Sequence, residues 1–235
     1  MITGASADTA TRGATPGRDR LGRASLCVLV AGGPDAAAFE RLVTALFTAG
    51  LPLLQLRDKR LSDEALLDRC RLALAAARRH DPLDPPLVIV NDRVGVAAAA
   101  GADGVHLGAS DLPVAEARTL LGPTAVIGRT AHDPTEARAA VAAGADYLGA
   151  GPCFPSTTKS FTSHAPREFL AEVARLPLPV FAIGGITPAR LAELASLGIR
   201  RVAVAAAVTA APDPAAAVRG LLAALASVPN PASAP

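Results

Sequence analysis

Leu87-Val88-Ile89-Val90-Asn91-Asp92-Arg93-Val94-Gly95-Val96-Ala97-Ala98-Ala99-Ala100-Gly101-Ala102-Asp103-Gly104-Val105-His106-Leu107 contains one full unit of the plan on which this chain is built. Leu87–Val90 is a short apolar run that reads as a strand, and the polar triplet Asn91-Asp92-Arg93 follows it. Val94–Ala100 then reads as a helix that Gly101 ends, and Gly104–Leu107 resumes as the next strand. Upstream, Ser25–Ala31 is a strand broken by Gly32-Gly33-Pro34. Phe39, Leu42, Val43, Leu46 and Phe47 recur at helical spacing after it, closed by Gly50. Leu51–Leu56 is the second strand, with Leu66, Leu67, Cys70, Leu74 and Ala77 marking its helix. Downstream, Pro113–Leu121 is helical. Ala125–Gly128, Asp146–Gly149, Val180–Ile183 and Arg201–Ala205 are further strands, each followed by a helical stretch. A Gly-Ala-Asp triplet stands before two strands, at Gly101–Asp103 and Gly144–Asp146. Eight strand–helix alternations in a chain of 235 residues predict a single-domain α/β fold, a closed (β/α)8 TIM barrel, over residues 25–227. An open doubly wound sheet is the alternative. Residues 1–24 lack periodicity and read as a disordered leader. Its Arg-rich, acid-poor composition faintly suggests a transit peptide, against which stand Asp8 and Asp19. The last residues, 228–235, carry three prolines and read as a loose tail.

A formal net charge of +2 with interspersed signs supplies no basic stripe, so nucleic acid is not an expected partner. No apolar run is as long as a membrane span. Cys27, Cys70 and Cys153 are odd in number and unpaired by motif, which argues against a disulfide framework and for a reducing, cytoplasmic setting. Neither a dinucleotide fingerprint nor a Walker loop is present.

Lysine occurs only twice, at Lys59 and Lys159, in a chain otherwise rich in arginine. Both follow strands, in Gln55-Leu56-Arg57-Asp58-Lys59 and in Pro155-Ser156-Thr157-Thr158-Lys159. A compact ammonium on a flexible stem suits a phosphate as a point charge. In a parallel barrel the chemistry lies at the C-terminal ends of the strands. Those positions carry Gln55, Arg57 and Lys59 after strand two, and Asn91, Asp92 and Arg93 after strand three. His106, Ser110 and Asp111 come with strand four, and Arg129, Thr130 and His132 with strand five. Ser156 to Lys159 follow strand six, Gly184-Gly185 strand seven, and Ala205-Ala206-Ala207 strand eight. Asp92 and Asp111 are each explained equally well, taken singly, as helix N-caps. Together, facing two lysines and Arg57, they fit a Mg²⁺-bound diphosphate, since Mg²⁺ takes one or two carboxylates plus substrate oxygens. Gly184-Gly185 and the alanines after strand eight let backbone N–H groups approach a second phosphate. Two small phosphorylated substrates are therefore expected. Of the histidines, His80 and His164 read as surface residues, His106 as a core histidine and His132 as a residue in the first turn of a helix. Tyr147 reads as barrel wall and Cys153 as packing.

From Ser25 to Val208 the chain resembles the thiamine phosphate synthase family. The resemblance rests on Gln55–Lys59, Asn91-Asp92-Arg93, Asp103–Gly108, Asp146–Lys159 and Ala182–Ile186. It implies a (β/α)8 barrel that joins hydroxymethylpyrimidine diphosphate to hydroxyethylthiazole phosphate, plain or carboxylated, giving thiamine phosphate and diphosphate. It implies that Asp92 and Asp111 hold Mg²⁺. Gln55, Arg57, Lys59, Asn91, Thr130 and Lys159 would bind the pyrimidine diphosphate, with Arg57, Lys59, Thr130 and Lys159 catalytic. Ser156, Thr157, Thr158, Gly185, Ala205 and Ala206 would bind the thiazole phosphate. Three stretches depart from the family's usual pattern: Thr130 replaces serine, Arg129 replaces an apolar residue, and Ala205-Ala206 lack a serine. A thiazole tautomerase on the same barrel is the nearest rival, with His132 as its histidine; a non-catalytic thiazole phosphate sensor is another. Nothing in the sequence decides for or against a homo-oligomer.

Overall fold

The computed structural model describes residues 15–155 and 164–228. A first helix, α1 (Pro16–Arg23), leads into eight parallel strands. They are β1 (Leu26–Val30), β2 (Leu53–Leu56), β3 (Leu87–Asn91), β4 (Gly104–Leu107), β5 (Val126–Ala131), β6 (Tyr147–Ala150), β7 (Val180–Ile183) and β8 (Arg201–Val204). Each strand pairs with the next, and β8 pairs back onto β1 through Leu26 with Val202 and Val28 with Val204. That closure makes the molecule a (β/α)8 barrel and removes the open-sheet alternative. The first seven strands are followed in turn by α2 (Ala36–Thr48), α3 (Asp63–His80), α4 (Val94–Ala100), α5 (Val114–Leu121), α6 (Pro134–Ala143), α7 (Arg167–Val173) and α8 (Leu191–Ser196). A single 3₁₀ turn at Pro188–Arg190 leads into α8, and α9 (Ala206–Thr209) and α10 (Pro214–Ser227) follow β8. Among the described residues no helix is long and apolar enough to cross a membrane.

The repeated Gly-Ala-Asp triplet has a mechanical explanation. Gly101 and Gly144 cap α4 and α6 in the left-handed conformation, with φ of 67° and 95°. Two residues on, the aspartate starts the next strand and bonds back to the preceding one. Asp103 accepts from the Val88 backbone N–H at 2.8 Å, and Asp146 from that of Ile127 at 2.8 Å. The same carboxylates then anchor arginines: Arg20 on Asp103 at 2.7 Å, and both Arg18 and Arg118 on Asp146 at 2.8 and 2.5 Å.

Those arginines overturn one sequence expectation. Residues 16–23 of the expected disordered leader form α1, capped by the Thr15 hydroxyl and started by Pro16. The helix lies across the N-terminal end of the barrel. Leu21 and Ala24 are 2% and 0% exposed and join the lumen cluster with Cys27, Leu53, Leu87 and Ile89. Only one large apolar side chain in this helix is buried, so no periodic stripe announces it, and its ion pairs are made with residues far along the chain. Residues 1–14 and the tail from 229 lie outside the described residues.

Outward-facing strand residues such as Val28, Leu54, Val88 and Ile127 pack on the helices in the larger core. Inward-facing ones alternate with them and fill the lumen, as the twofold side-chain period requires. Leu21→Ala is expected to lower the unfolding free energy by about 2–4 kcal/mol through cavity formation. Urea unfolding followed by circular dichroism measures this, and a change within error of zero would mean that α1 is not a structural part of the barrel.

Candidate active site

The strand ends at the C-terminal face bring most of the expected residues to one opening. Asn91, at the end of β3, is 9% exposed and stands in register with His106 of β4. Asp92 follows with φ of 62°, the one non-glycine residue at positive φ among the described residues. A non-glycine residue in that region carries backbone strain, a state that persists only where surrounding structure enforces it. Here the Asp92 N–H donates to the His106 carbonyl at 2.8 Å, holding the turn. Asp92 is not the α4 cap, which is Arg93 and has no side-chain capping bond; the Arg93 guanidinium donates instead to Leu61 O and Asp63. Asp111 is not a helix cap either. Its carboxylate accepts from the Gly108 N–H at 2.6 Å, and α5 begins after Pro113.

The two carboxylates meet. Burial raises the Asp92 pKa, and its hydrogen bond to Asp111 and the charge of Asp111 raise it further; Lys59 and Arg57 pull the other way. Lys59 Nζ lies 3.6 Å from Asp92, with its side chain 68% exposed. Two carboxylates brought this close suit a hard divalent ion as part of its donor set.

Asp58, inside the motif around Lys59, is 6% exposed and has a structural task. It accepts from the Gly33 and Arg60 backbone N–H groups at 3.2 and 2.9 Å. Burial works to raise its pKa, but these bonds and Arg60 prevail and hold it below the usual value. Buried Arg69 donates to the carbonyls of Gly32 and Pro34 at 3.1 Å each. The loop after β1 is thus tied to the loop that presents Arg57 and Lys59.

Below the opening, inward-facing Gln55 and Tyr147, 4% and 2% exposed, stand near His106. His106 Nδ1 is hydrogen-bonded to Tyr147 Oη at 3.0 Å, and its Nε2 to Thr130 Oγ1 at 2.9 Å. Burial pushes the imidazole pKa down to about 4. A pocket of about 30 Å³ is lined by these four residues and by Cys27, Phe181 and Ala203. His106 is thus the core histidine and Tyr147 the barrel wall that the sequence suggests; what the sequence reading lacked is the hydrogen bond that joins them. The signal available was Gly128, which stands in register with both. A Cβ there would lie 2.1 Å from the Tyr147 ring and 2.6 Å from His106 Nδ1, so glycine makes room for two polar rings.

On the far side, Gly184 and Gly185 both have positive φ, 99° and 62°. A Cβ at Gly185 would come 2.3 Å from the Pro155 carbonyl, so the chain after β7 runs directly against the chain after β6. The Phe154 N–H donates to Gly184 O at 3.0 Å, and the Arg190 guanidinium lies 4.4 Å from the Phe154 ring centroid. Ala205 and Ala206 sit at the start of α9. Ser156, Thr157, Thr158 and Lys159 lie outside the described residues. His132 is not in a helical turn but between β5 and α6, where its Nδ1 bonds the Gly151 carbonyl at 2.7 Å. Arg129 faces outward from β5, donates to Ala109 O at 3.2 Å and lines a cleft of about 400 Å³ between α5 and α6, whose lining also includes Asp111 and Thr130. Cys153 is buried, and burial pushes its thiol up to about 11, so it is packing rather than nucleophile.

A family model described as thiamine monophosphate synthase matches residues 26–208. The chain belongs to the thiamine monophosphate synthase family. It is 46% identical over 202 residues to the thiamine biosynthesis bifunctional protein ThiM/ThiE of Symbiobacterium thermophilum, covering 85% of this chain and 40% of that one. It is 48% identical over 212 residues to the thiamine-phosphate synthase of Anaeromyxobacter dehalogenans, covering 88% and 89%. Among solved structures, thiamine phosphate pyrophosphorylase from Pyrococcus furiosus superposes with a TM-score of 0.73 at 30% identity, covering 89% of this chain and 97% of that one. The chain spans 40%, 56% and 50% of the length of three curated relatives that it matches.

The raised Asp92 pKa fixes a sign. The unfolded chain loses this proton first, so without a divalent cation stability falls as pH rises from the ordinary carboxylate range through the folded Asp92 pKa. Asp92→Asn, which keeps a side chain tolerant of positive φ, is expected to remove that fall. In metal-free buffer at neutral pH the substitution is expected to raise Tm above that of the wild-type protein. Calorimetry of both proteins from pH 4 to 8 checks this, and parallel pH profiles would refute the carboxylate pairing.

Proposed function

We propose that this chain is a thiamine phosphate synthase, a transferase that joins 4-amino-2-methyl-5-hydroxymethylpyrimidine diphosphate to 4-methyl-5-(2-hydroxyethyl)thiazole phosphate. The bond from the pyrimidine methylene carbon to oxygen breaks and its electron pair leaves with diphosphate. The thiazole nitrogen then bonds to that carbon, giving thiamine phosphate. The observation that carries this reading is the Asp92–Asp111 pair, strained and crowded, with Lys59 beside it in a member of this family. Asp92 and Asp111 would hold Mg²⁺, which when bound would neutralise charge on the diphosphate oxygens.

The chain's own residues supply the rest. Arg57, Lys59 and Lys159 would stabilise negative charge where it grows on the departing oxygen. Asn91 and Thr130 would orient the diphosphate from the lumen side. Gln55 would meet the pyrimidine deeper in the barrel, where Phe181 and Tyr147 wall off water. No step calls for a protein nucleophile, which agrees with the buried cysteines and the neutral His106. Ser156, Thr157, Thr158, Gly185, Ala205 and Ala206 would receive the thiazole phosphate. Alanine at 205 and 206 leaves only backbone donors there, so affinity for that substrate is expected to be modest. Three free cysteines fit a cytoplasmic enzyme.

The test is formation of thiamine phosphate, read as fluorescent thiochrome, from both substrates with and without Mg²⁺. Product is expected only with the metal, and Asp92→Asn is expected to lower turnover at least ~10²-fold. Lys159→Ala is expected to reduce kcat by a similar factor, about 10²-fold, with a smaller change in the thiazole phosphate KM. No product from folded wild-type protein with either the plain or the carboxylated thiazole would refute the synthase reading. Unchanged kcat in Lys159→Ala would remove that lysine from the chemistry.

A further inference from the structure

Three polar side chains cross the lumen in single file, with Gln55 lining the same pocket. Tyr147 Oη lies 3.0 Å from His106 Nδ1, and His106 Nε2 lies 2.9 Å from Thr130 Oγ1. Gln55, Tyr147 and His106 are nearly inaccessible to water, and the wall around them is Cys27, Phe181, Gly149 and Ala203. Burial keeps the imidazole neutral at physiological pH and holds the phenol well above its usual pKa. The three groups of the file therefore carry one transferable hydrogen each: one on the phenol, one on the imidazole, one on the threonine hydroxyl.

Such a file has two self-consistent arrangements. In one, Tyr147 donates to Nδ1, the imidazole hydrogen sits on Nε2 and is given to Thr130, and the Thr130 hydrogen is left pointing to the mouth. In the other, Thr130 donates inward, the imidazole hydrogen sits on Nδ1, and Tyr147 donates to the Gln55 carbonyl oxygen. A mixed arrangement sets two donors or two acceptors face to face in a dry lumen, which is costly. An anion at the mouth offers only acceptors and selects the first arrangement.

We propose that His106 and Tyr147 are positioning residues that turn the Thr130 hydroxyl into a fixed donor toward the anionic leaving group. The same polarity directs the Gln55 amide N–H to Tyr147 and leaves the Gln55 carbonyl oxygen free to accept from an exocyclic amino group. The relay thus reads both ends of one substrate together: a hydrogen-bond donor on the ring and an acceptor at the departing group. A ring carrying an oxo group in place of the amino group meets the Gln55 oxygen as a second acceptor and is rejected. This inference deepens the synthase reading and rests on it for the identity of the substrate.

The experiment is long-range ¹H–¹⁵N correlation of the histidine rings in the full chain, with and without Mg²⁺ and inorganic diphosphate. The His106 signal is assigned by its loss in His106→Gln. With diphosphate bound, His106 is expected to carry its hydrogen on Nε2. Tyr147→Phe, an isosteric change, is expected to abolish that preference and to lower kcat about tenfold, the value of one hydrogen bond in the transition state. The KM for the pyrimidine diphosphate is expected to change less than kcat, and Thr130→Ser is expected to keep the wild-type tautomer where Thr130→Val does not. A hydrogen on Nδ1 in the diphosphate complex would overturn the proposal, as would a Tyr147→Phe protein with unchanged tautomer and kcat. Thiamine phosphate formation by wild-type protein is scored separately. Product with the wrong tautomer sinks the relay alone, and the right tautomer without product sinks the synthase reading alone.

Discussion

The ring of Tyr147 stands against the bare backbone of Gly128, and the arrangement of the mouth depends on that contact. Only with no side chain at that position can the tyrosine cross the lumen far enough to reach His106. From there the order passes outward: His106 holds Thr130 through its side chain and the backbone of Asp92 through its carbonyl. Below, the same ring meets Phe181 edge-on at 5.6 Å and belongs to the apolar cluster that α1 completes with Leu21 and Ala24. Tyr147 is thus the joint between a dry apolar base and a polar upper layer. The fold's stability and the orientation of its polar groups meet in one side chain.

Asp92 concentrates the opposite tendency. Its backbone is forced to positive φ, and its carboxylate is brought against Asp111. Both features cost stability, and neither contributes to packing. They are tolerated because the β3 and β4 ends around them are rigid: Asn91 is buried, Gly108 fixes Asp111, and the Asp58 and Arg69 contacts tie the neighbouring loops together. Local strain confined to one residue in an otherwise well-satisfied frame is the usual mark of a site built for something other than folding.

What could be read from the sequence followed from interactions that are local in the chain. The strand–helix alternation needs only neighbours three or four residues away, and the Gly-Ala-Asp triplets announce both a helix stop and a strand start. Asp92 and Asp111 could be picked out because a parallel barrel sends every strand end to one face. The helix α1 could not, since one leucine and two arginines acquire meaning only against the lumen and against Asp103 and Asp146. His106 and Tyr147 are the core histidine and barrel wall expected of them, but the contact between them was hidden for a similar reason. A lone histidine in a strand is ordinarily core, and only the register across β4, β5 and β6 sets it beside a tyrosine and a threonine. Asp58, too, passed as one polar loop residue among several until its bonds to another loop were visible.

The scarcity of lysine has a practical side. Lys59 is well exposed beside Asp92, and the chain has one other lysine, Lys159; the proposed function gives both to the diphosphate. On most proteins, amine-directed acylation scatters over the surface and tells little. Here the arginine side chains are inert to such reagents, and side-chain amine acylation falls on those two lysines. Under the proposed function, lysine acetylation, carbamylation on storage, or coupling to an amine-reactive resin would each strike the diphosphate site, and attachment through an introduced cysteine on the helical exterior would spare it.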